Sequence, residues 1–180
     1  VRSFTQDDAH IFCTPEQIEQ EVIILIDLVF EVYNTFGFDD VQVYLSTRPE
    51  KFIGLLEVWD NSEKSLSSAL EKANIKYKIN KGDGAFYGPK IDFVVKDSLR
   101  RNWQLGTIQL DFSMPERFGL EYIGTDSKVH RPVMIHRAVF GSFERFVGVL
   151  TEHYAGYFPL WLAPVQVNIL PITGSHLDYA

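Results

Sequence analysis

Four side chains of unlike chemistry stand at alternate positions near the start of the chain: Phe4, Gln6, Asp8 and His10. Such spacing is typical of one face of a β-strand, along which successive side chains lie ~6.6–7 Å apart. The aromatic ring could stack on a planar base, and the polar groups after it could hydrogen-bond or ligate a small polar substrate. A strand that faces only solvent shows the same alternation, and the pattern alone favours that simpler interpretation.

A glycine-rich segment in the middle of the chain contains a tyrosine and ends in a lysine. Residues 84–90 run Gly-Ala-Phe-Tyr-Gly-Pro-Lys, and their backbone amides, together with Lys90, could face an anionic ligand such as phosphate. The segment matches neither the P-loop nor the dinucleotide-binding fingerprint. Taken by itself, the segment therefore favours a plain hairpin turn.

Two glutamines interrupt the strand-like run of residues 103–112. Gln104 and Gln109 differ in parity, so a regular strand would direct them to opposite faces. Gly106 lies between them and could host a β-bulge that returns both side chains to one face. An edge strand with one wet face is the alternative.

A predicted strand that ends at residues 136–138 is followed by a helix that begins at residues 141–142. Ser142 and Arg145 are three positions apart, on one side of this helix. Arginine is a permanently charged bidentate donor, so Arg145 could clamp a triphosphate. The alternative is a solvated helix that binds nothing.

Metal ligands are not recognisable from spacing alone. His10 and Cys13 are three positions apart, which on a strand directs them to opposite faces. The other histidines outside the predicted site, His130, His153 and His176, show no ligand spacing. A serine or cysteine catalytic triad is likewise not recognisable from residue order.

The elements that must position these side chains predict an α+β fold. Residues 14–17 form a capping box with proline at the first helical position, and they open an amphipathic helix that ends at Gly37. Further helices are predicted for residues 61–73 and from Ser142 onward. Strands are predicted for residues 2–13, 41–45, 76–80, 91–95, 103–112, 133–138 and 165–170. Because the middle strands follow one another directly, the sheet is predicted to be mainly antiparallel.

Composition narrows the classes of function. Of the 180 residues 46% are hydrophobic, enough for a core, while the net charge of −7 is unlike that of proteins that coat nucleic acid. The longest apolar stretch is too short to span a membrane. The single cysteine excludes a disulfide framework. Since the sequence begins without methionine and inside a predicted strand, we expect it to be part of a longer protein.

Four segments together resemble the catalytic domain of class II aminoacyl-tRNA synthetases, in particular the threonyl-tRNA synthetase family: residues 1–13, 84–90, 106–112 and 134–145. The resemblance implies an α+β fold with a mixed, mainly antiparallel sheet and flanking helices. It implies that residues 1–162 are the part of the catalytic domain that holds class motifs 2 and 3. Residues 163–180 would be the truncated start of an α/β anticodon-binding domain.

The resemblance also implies an activity and the residues that support it. The activity is ATP-dependent activation of threonine to threonyl-adenylate, followed by transfer to tRNA(Thr). ATP contacts would be Phe4 on the adenine, Gln104, and the catalytic Arg145, which clamps the phosphates. Threonine contacts would be Gln6, Asp8, Tyr87, Gln109 and Ser142. His10 and His136 would be ligands of a zinc ion that binds the amino and hydroxyl groups of threonine, which valine cannot fully supply.

Several features of that family fall outside the sequence. The third zinc ligand, a cysteine, and the first arginine of motif 2 would lie upstream of Val1, and Cys13 does not match the ligand. The motif that forms the homodimer interface would be upstream too, so these 180 residues alone are predicted to be inactive. Mg²⁺ would accompany ATP, and the location would be the cytoplasm or, alternatively, the mitochondrial matrix. The remaining alternatives are a non-catalytic fragment or inactive paralogue that acts as a binding module, and a different class II synthetase.

Overall fold

The computed structural model describes residues 2–180; Val1, the first residue of the segments that carry the resemblance, lies outside them. The elements in chain order are β1 (Ala9–Cys13), α1 (Ile18–Thr35), β2 (Val41–Ser46), α2 (Leu56–Lys72), β3 (Tyr77–Asn80), β4 (Lys90–Lys96), β5 (Asn102–Asp111), α3 (Ser113–Arg117), β6 (Tyr122–Ile123), β7 (Val129–His130), β8 (Val133–Ala138) and α4 (Phe143–His153). Short 3₁₀ turns cover Pro15–Gln17 and Gly174–His176. Among residues 2–180, the helices are all too short or too polar to cross a bilayer.

Six strands form one sheet in the order β1-β8-β5-β4-β2-β3, and β6 pairs with β7 in a separate small sheet. Every pairing in the large sheet is antiparallel except that of β2 with β3. The predicted α+β fold with a mixed, mainly antiparallel sheet and flanking helices is therefore confirmed. The predicted hairpin of β4 and β5 forms the centre of the sheet together with β8.

Helix α1 forms where the sequence predicts it. The Thr14 backbone N–H donates to the Gln17 side-chain oxygen at 2.9 Å, so the predicted capping pair closes the first turn. The apolar stripe of the helix is buried completely at Val22, Ile26 and Val29. Gly37 ends the helix with φ of +74°, a conformation that costs glycine little.

The core lies between one face of the sheet and helices α1 and α2. Each central strand directs alternate side chains toward it, as Phe93, Ile108 and Ile135 do with no exposed surface. Helix α4 joins the core through an aromatic cluster in which the Phe146 ring lies 5.1 Å from that of Phe36. The opposite face of the sheet is left for polar side chains.

The structure corrects two predicted strands. The strand predicted for residues 2–13 covers only Ala9–Cys13, and among the described residues before it the β-bridge is an isolated one, between Gln6 and Ser142 at the start of α4. Residues 165–170, predicted to be a buried strand, lack regular structure. Val167 is 77% exposed and Ile169 is 65% exposed, because none of the described strands pairs with this segment. The proposed domain boundary after residue 162 stays a prediction.

The second helix begins earlier than predicted, at Leu56 instead of residue 61. The added turn places Trp59 in the core, where it is 2% exposed. Its indole N–H donates to the carbonyl oxygen of Ile53 at 2.8 Å. This bond ties the added turn to the residues just before it, where the N-cap residue Leu55 makes no side-chain hydrogen bond.

Candidate active site

One residue from each of the six strands contributes to a polar row across the sheet face opposite the core. In spatial order the row is His10, His136, Gln109, Lys90, Ser46 and Asn80, each paired with the next. Residues one position along, such as Ile135 and Leu110, point to the other face and are buried. Strand register therefore brings predicted site residues from distant parts of the sequence into one line.

The two predicted metal ligands lie directly opposite each other at one end of this row. The His10 and His136 ring centroids are 4.7 Å apart, in an edge-to-face arrangement. Asp8 joins them, with its Oδ2 at 3.8 Å from His10 Nε2. One ligand atom from each of these three residues lies within 4.8 Å of the others. Two imidazoles and a carboxylate are a donor set that zinc accepts, so the residues present fit the predicted ion.

Tyr87 and Gln109 form the wall beside the two histidines. The Tyr87 hydroxyl donates to the side-chain oxygen of Gln109, and its ring centroid lies 5.8 Å from that of His136. Burial raises the pKa of Tyr87, and the charges of Asp111 and Asp8 raise it further. The phenol is therefore held in its neutral form, as a hydrogen-bonding group.

The predicted ATP contacts line a separate cavity of about 600 Å³ on the same face. Its lining includes Phe4, Gln6, Gln104, Ser142 and Arg145. This volume is within the usual range for small-molecule sites. The cavity adjoins the histidine end of the face, because the Gln109 amide contacts the Thr107 hydroxyl at 3.4 Å and Thr107 also lines the cavity.

Arg145 reaches this cavity from the first turn of α4. The Ser142 hydroxyl accepts a hydrogen bond from the Arg145 backbone N–H at 3.3 Å and so caps the helix. Gly141 has φ of +70°, and a Cβ there would lie 2.9 Å from Arg145 Nη2 and 2.8 Å from the Leu105 carbonyl oxygen. The positive φ and the nearby Leu105 backbone therefore require a glycine at this junction.

The segment that carries Phe4, Gln6 and Asp8 is held by α4 rather than by strand pairing. The Thr5 backbone N–H donates to the Glu144 carboxylate at 3.0 Å, and the Thr5 carbonyl accepts from the Phe143 N–H at 2.9 Å. These bonds keep the segment extended, so the alternation predicted from the sequence survives without a regular strand. Phe4 stays 61% exposed, with its ring free to stack.

Asp7 fixes the next part of the same segment. Its carboxylate accepts hydrogen bonds from the backbone N–H groups of Val139 at 2.8 Å and Phe140 at 3.0 Å. It also pairs with Arg137 at 3.1 Å. These contacts hold the residues before β1 against the end of β8.

A β-bulge in β5 brings the two glutamines to one face, as Gly106 predicts. Asp92 on β4 pairs with Thr107 and Val94 pairs with Gln104, so three steps of β5 oppose two of β4. A Cβ at Gly106 would lie 2.6 Å from the Tyr33 hydroxyl, which explains the glycine.

The buried carboxylate of Asp92 contacts four polar side chains on this face of the sheet. It accepts from Ser46 and Gln104, each at 2.6 Å, and from Thr107 at 3.3 Å. Lys90 Nζ lies 3.1 Å from it. The structure therefore places Lys90 in the polar row, with its charge balanced by Asp92.

Sequence reasoning missed three carboxylates that organise the site: Asp7, Asp92 and Asp111. Asp111 contacts His136, with Oδ2 at 2.9 Å from Nε2. Burial opposes its ionisation, but hydrogen bonds from His136 and from the Met114 and Ser113 N–H groups outweigh this and lower its pKa. The sequence signal that could have identified Asp92 and Asp111 is an aspartate within a mainly apolar predicted strand. No such signal marks Asp7.

Comparison with known proteins places this chain in a family. Residues 1–154 match the model of the tRNA synthetase class II core domain (G, H, P, S and T). The chain therefore belongs to the class II core domain family. The fold extends to histidyl-tRNA synthetase from S. aureus, with a TM-score of 0.56 at 14% identity over 84% of this chain and 41% of that one.

Within the class, the resemblance to threonyl-tRNA synthetases is confirmed. The chain is 62% identical over its whole length to a threonine–tRNA ligase from Caldanaerobacter subterraneus subsp. tengcongensis and 64% identical to one from Desulforamulus reducens. It spans 28% of the length of each of these relatives. The crystal structure of the RNA binding domain of threonyl-tRNA synthetase from Cryptosporidium parvum Iowa II matches with a TM-score of 0.95 at 49% identity, over 99% of this chain and 45% of that one.

Proposed function

We propose that this chain is the part of a threonine–tRNA ligase that carries class motifs 2 and 3. It would take part in activating threonine with ATP and in transferring it to tRNA(Thr). The observation that carries the proposal is the position of a zinc-type donor set beside a nucleotide-sized cavity on one sheet face. The names of the relatives support threonine as the amino acid.

His10 and His136 are the proposed protein ligands of zinc, with a further ligand supplied from outside these residues. The bound ion would act as a Lewis acid that holds the amino and hydroxyl groups of threonine. Asp8 lies within reach of the same position and would accept the hydroxyl proton in a hydrogen bond. Tyr87 and Gln109 would close the side of the pocket and orient the substrate.

The cavity lined by Phe4, Gln104 and Arg145 is the proposed ATP site, with Mg²⁺ bound to the phosphates. The exposed Phe4 ring would stack on adenine, and Gln104 would hydrogen-bond the nucleotide. Arg145 would stabilise the charge that develops as the threonine carboxylate attacks the α-phosphate. Gln6 and Ser142 line the same cavity and would hold threonine in line for this attack.

Zinc and amino-acid binding by the chain, joined to the upstream residues that supply the further zinc ligand, test the proposal. We expect wild type to bind one zinc ion, and His136→Ala to lose it. His130→Ala is the matched control, because His130 lies on β7 and contacts Asp126 instead. Isothermal titration should show threonine binding at least about 10-fold more tightly than valine, since valine leaves polar groups of the site unpaired. Absence of zinc, or equal binding of valine, would contradict the proposal and favour a non-catalytic module.

ATP binding tests the second half of the site. Arg145→Ala should weaken binding of ATP with Mg²⁺ by about 10-fold or more, since a charge-assisted hydrogen bond is lost. Arg100→Ala is the control, because Arg100 is an exposed residue of the turn between β4 and β5. Unchanged ATP affinity in Arg145→Ala would contradict the assignment. A homodimer, a cytoplasmic location and an anticodon-binding domain that starts near residue 163 stay predictions for the whole protein.

A further inference from the structure

We infer that Asp111 is a positioning residue that fixes the tautomer of His136, so that Nδ1 is the ring nitrogen left to bind a metal ion. The inference rests on the proposed function for the identity of that metal. Asp111 ends β5 on the same face as Gln109, which pairs with His136, so Asp111 lies diagonally across from the histidine. Its side chain is 1% exposed, and that of His136 is 16% exposed.

The two oxygens of the Asp111 carboxylate have separate partners. Oδ1 accepts hydrogen bonds from the backbone N–H groups of Ser113 at 2.7 Å and Met114 at 2.9 Å. Oδ2 lies 2.9 Å from His136 Nε2. An ionised carboxylate only accepts hydrogen bonds, so Nε2 is the nitrogen of His136 that donates in this contact.

Nδ1 of His136 is then the ring nitrogen left to offer a lone pair to a metal ion. Metal-bound histidines commonly donate their second ring N–H to a carboxylate, which fixes the orientation and the tautomer. The Tyr87 hydroxyl, on a ring that lies beside His136, is directed to Gln109. His10 and Asp8 supply the further donors within 4.8 Å. Asp111 therefore fixes which nitrogen of His136 is available to a metal ion, whether or not an ion is bound.

An amide at this position should reverse the tautomer instead of merely weakening one hydrogen bond. The N–H groups of Ser113 and Met114 still require an oxygen, so they orient the Asn carbonyl toward themselves. The amide nitrogen then faces His136 and donates to Nε2. The imidazole proton must move to Nδ1, where it blocks the metal.

The tautomer can be measured without any metal. Long-range proton–nitrogen NMR of the ¹⁵N-histidine-labelled, metal-free chain should show His136 protonated on Nε2 in wild type and on Nδ1 in Asp111→Asn. Asp126→Asn is the matched control, because Asp126 contacts His130 Nε2 at 2.8 Å on a separate hairpin; the spectrum of His136 should not change in it. A wild-type His136 protonated on Nδ1 would overturn the inference, and this result needs no folded variant.

Zinc affinity of the chain joined to the upstream residues that supply the further ligand provides the second readout. Competition with a chromophoric chelator should show zinc bound about 10–100-fold more weakly by Asp111→Asn than by wild type, with Asp126→Asn unchanged. Equal affinity in wild type and Asp111→Asn would overturn the inference and leave the proposed function intact. A wild-type chain that binds no zinc would instead contradict the proposed function, while the tautomer measurement would still decide the role of Asp111.

Discussion

Replacing Gly88 with alanine tests how tightly the glycine-rich loop is held against the sheet. A Cβ at this position would lie 1.8 Å from the carbonyl oxygen of Leu110 and 2.9 Å from its carbonyl carbon. Ordinary van der Waals contact begins at 3.4 Å, so the loop or the strand must move by roughly 1.6 Å. Leu110 is completely buried in a central strand, and backbone atoms cannot rotate away as a flexible side chain can.

The expected cost combines overpacking with a weakened hydrogen bond. Overpacking in a well-packed region costs about 1–3 kcal/mol. The adjacent bond from the Leu110 N–H to the Pro89 carbonyl, at 3.1 Å, contributes about 1 kcal/mol. We therefore expect Gly88→Ala to lower the free energy of unfolding by about 2–4 kcal/mol. For a chain of this size that corresponds to a fall in Tm of roughly 4–16 °C.

Thermal and urea unfolding followed by circular dichroism measure this effect. Gly148→Ala is the matched control, because Gly148 is in α4 and an added Cβ there would meet nothing within 4 Å beyond the nearby backbone of its own helix. This variant should be stabilised by about 0.5–1 kcal/mol. In Gly88→Ala the resonances of the neighbouring Tyr87 and of its partner Gln109 should also shift. A Tm equal to that of wild type, with these resonances unchanged, would refute the reasoning.

Two further predictions concern titratable groups. Burial, assisted by the Glu21 charge, raises the pKa of the Cys13 thiol from 9.0 to about 11. Because its thiolate fraction is then about 100-fold below that of a free thiol, alkylation of Cys13 should be slow until the chain unfolds. Rapid labelling of the folded chain would contradict this. Burial opposes ionisation of Asp97, but bonds from Trp103 and Arg101 outweigh it and lower its pKa from 3.8 to about 2. The ionised Asp97 carboxylate stabilises the fold above pH 3.8, and this stabilisation is lost as the pH falls to about 2. The urea midpoints of wild type and Asp97→Asn should therefore converge over that interval. A difference in midpoint that stays constant with pH would contradict the prediction.

Elements whose signals are local follow from the sequence alone. The capping residues Thr14 and Gln17 and the apolar spacing after them locate α1, because helix geometry involves residues only a few positions apart. The bulge at Gly106 was similarly predictable, since two polar residues of opposite parity flank a glycine in one strand. The same holds for the hairpin of β4 and β5, whose strands are neighbours in sequence.

Predictions that required a distant partner were less secure. The alternating Val165, Val167 and Ile169 suggest a strand, but a strand exists only where another supplies hydrogen bonds, and no described strand pairs with them. Near the start of the chain, the alternation is real although the pairing begins only at Ala9. There, Glu144 and the α4 backbone substitute for a neighbouring strand.

The sequence by itself determined which side chains of a strand lie on the same face, because the two-residue period is a local property. It also determined the resemblance to the threonyl-tRNA synthetase family. Only the tertiary structure decided that His10 lies opposite His136, and that Asp111 stands behind the second histidine. Register between strands depends on the packing of the whole sheet, so periodicity along one strand cannot reveal the partner across from it.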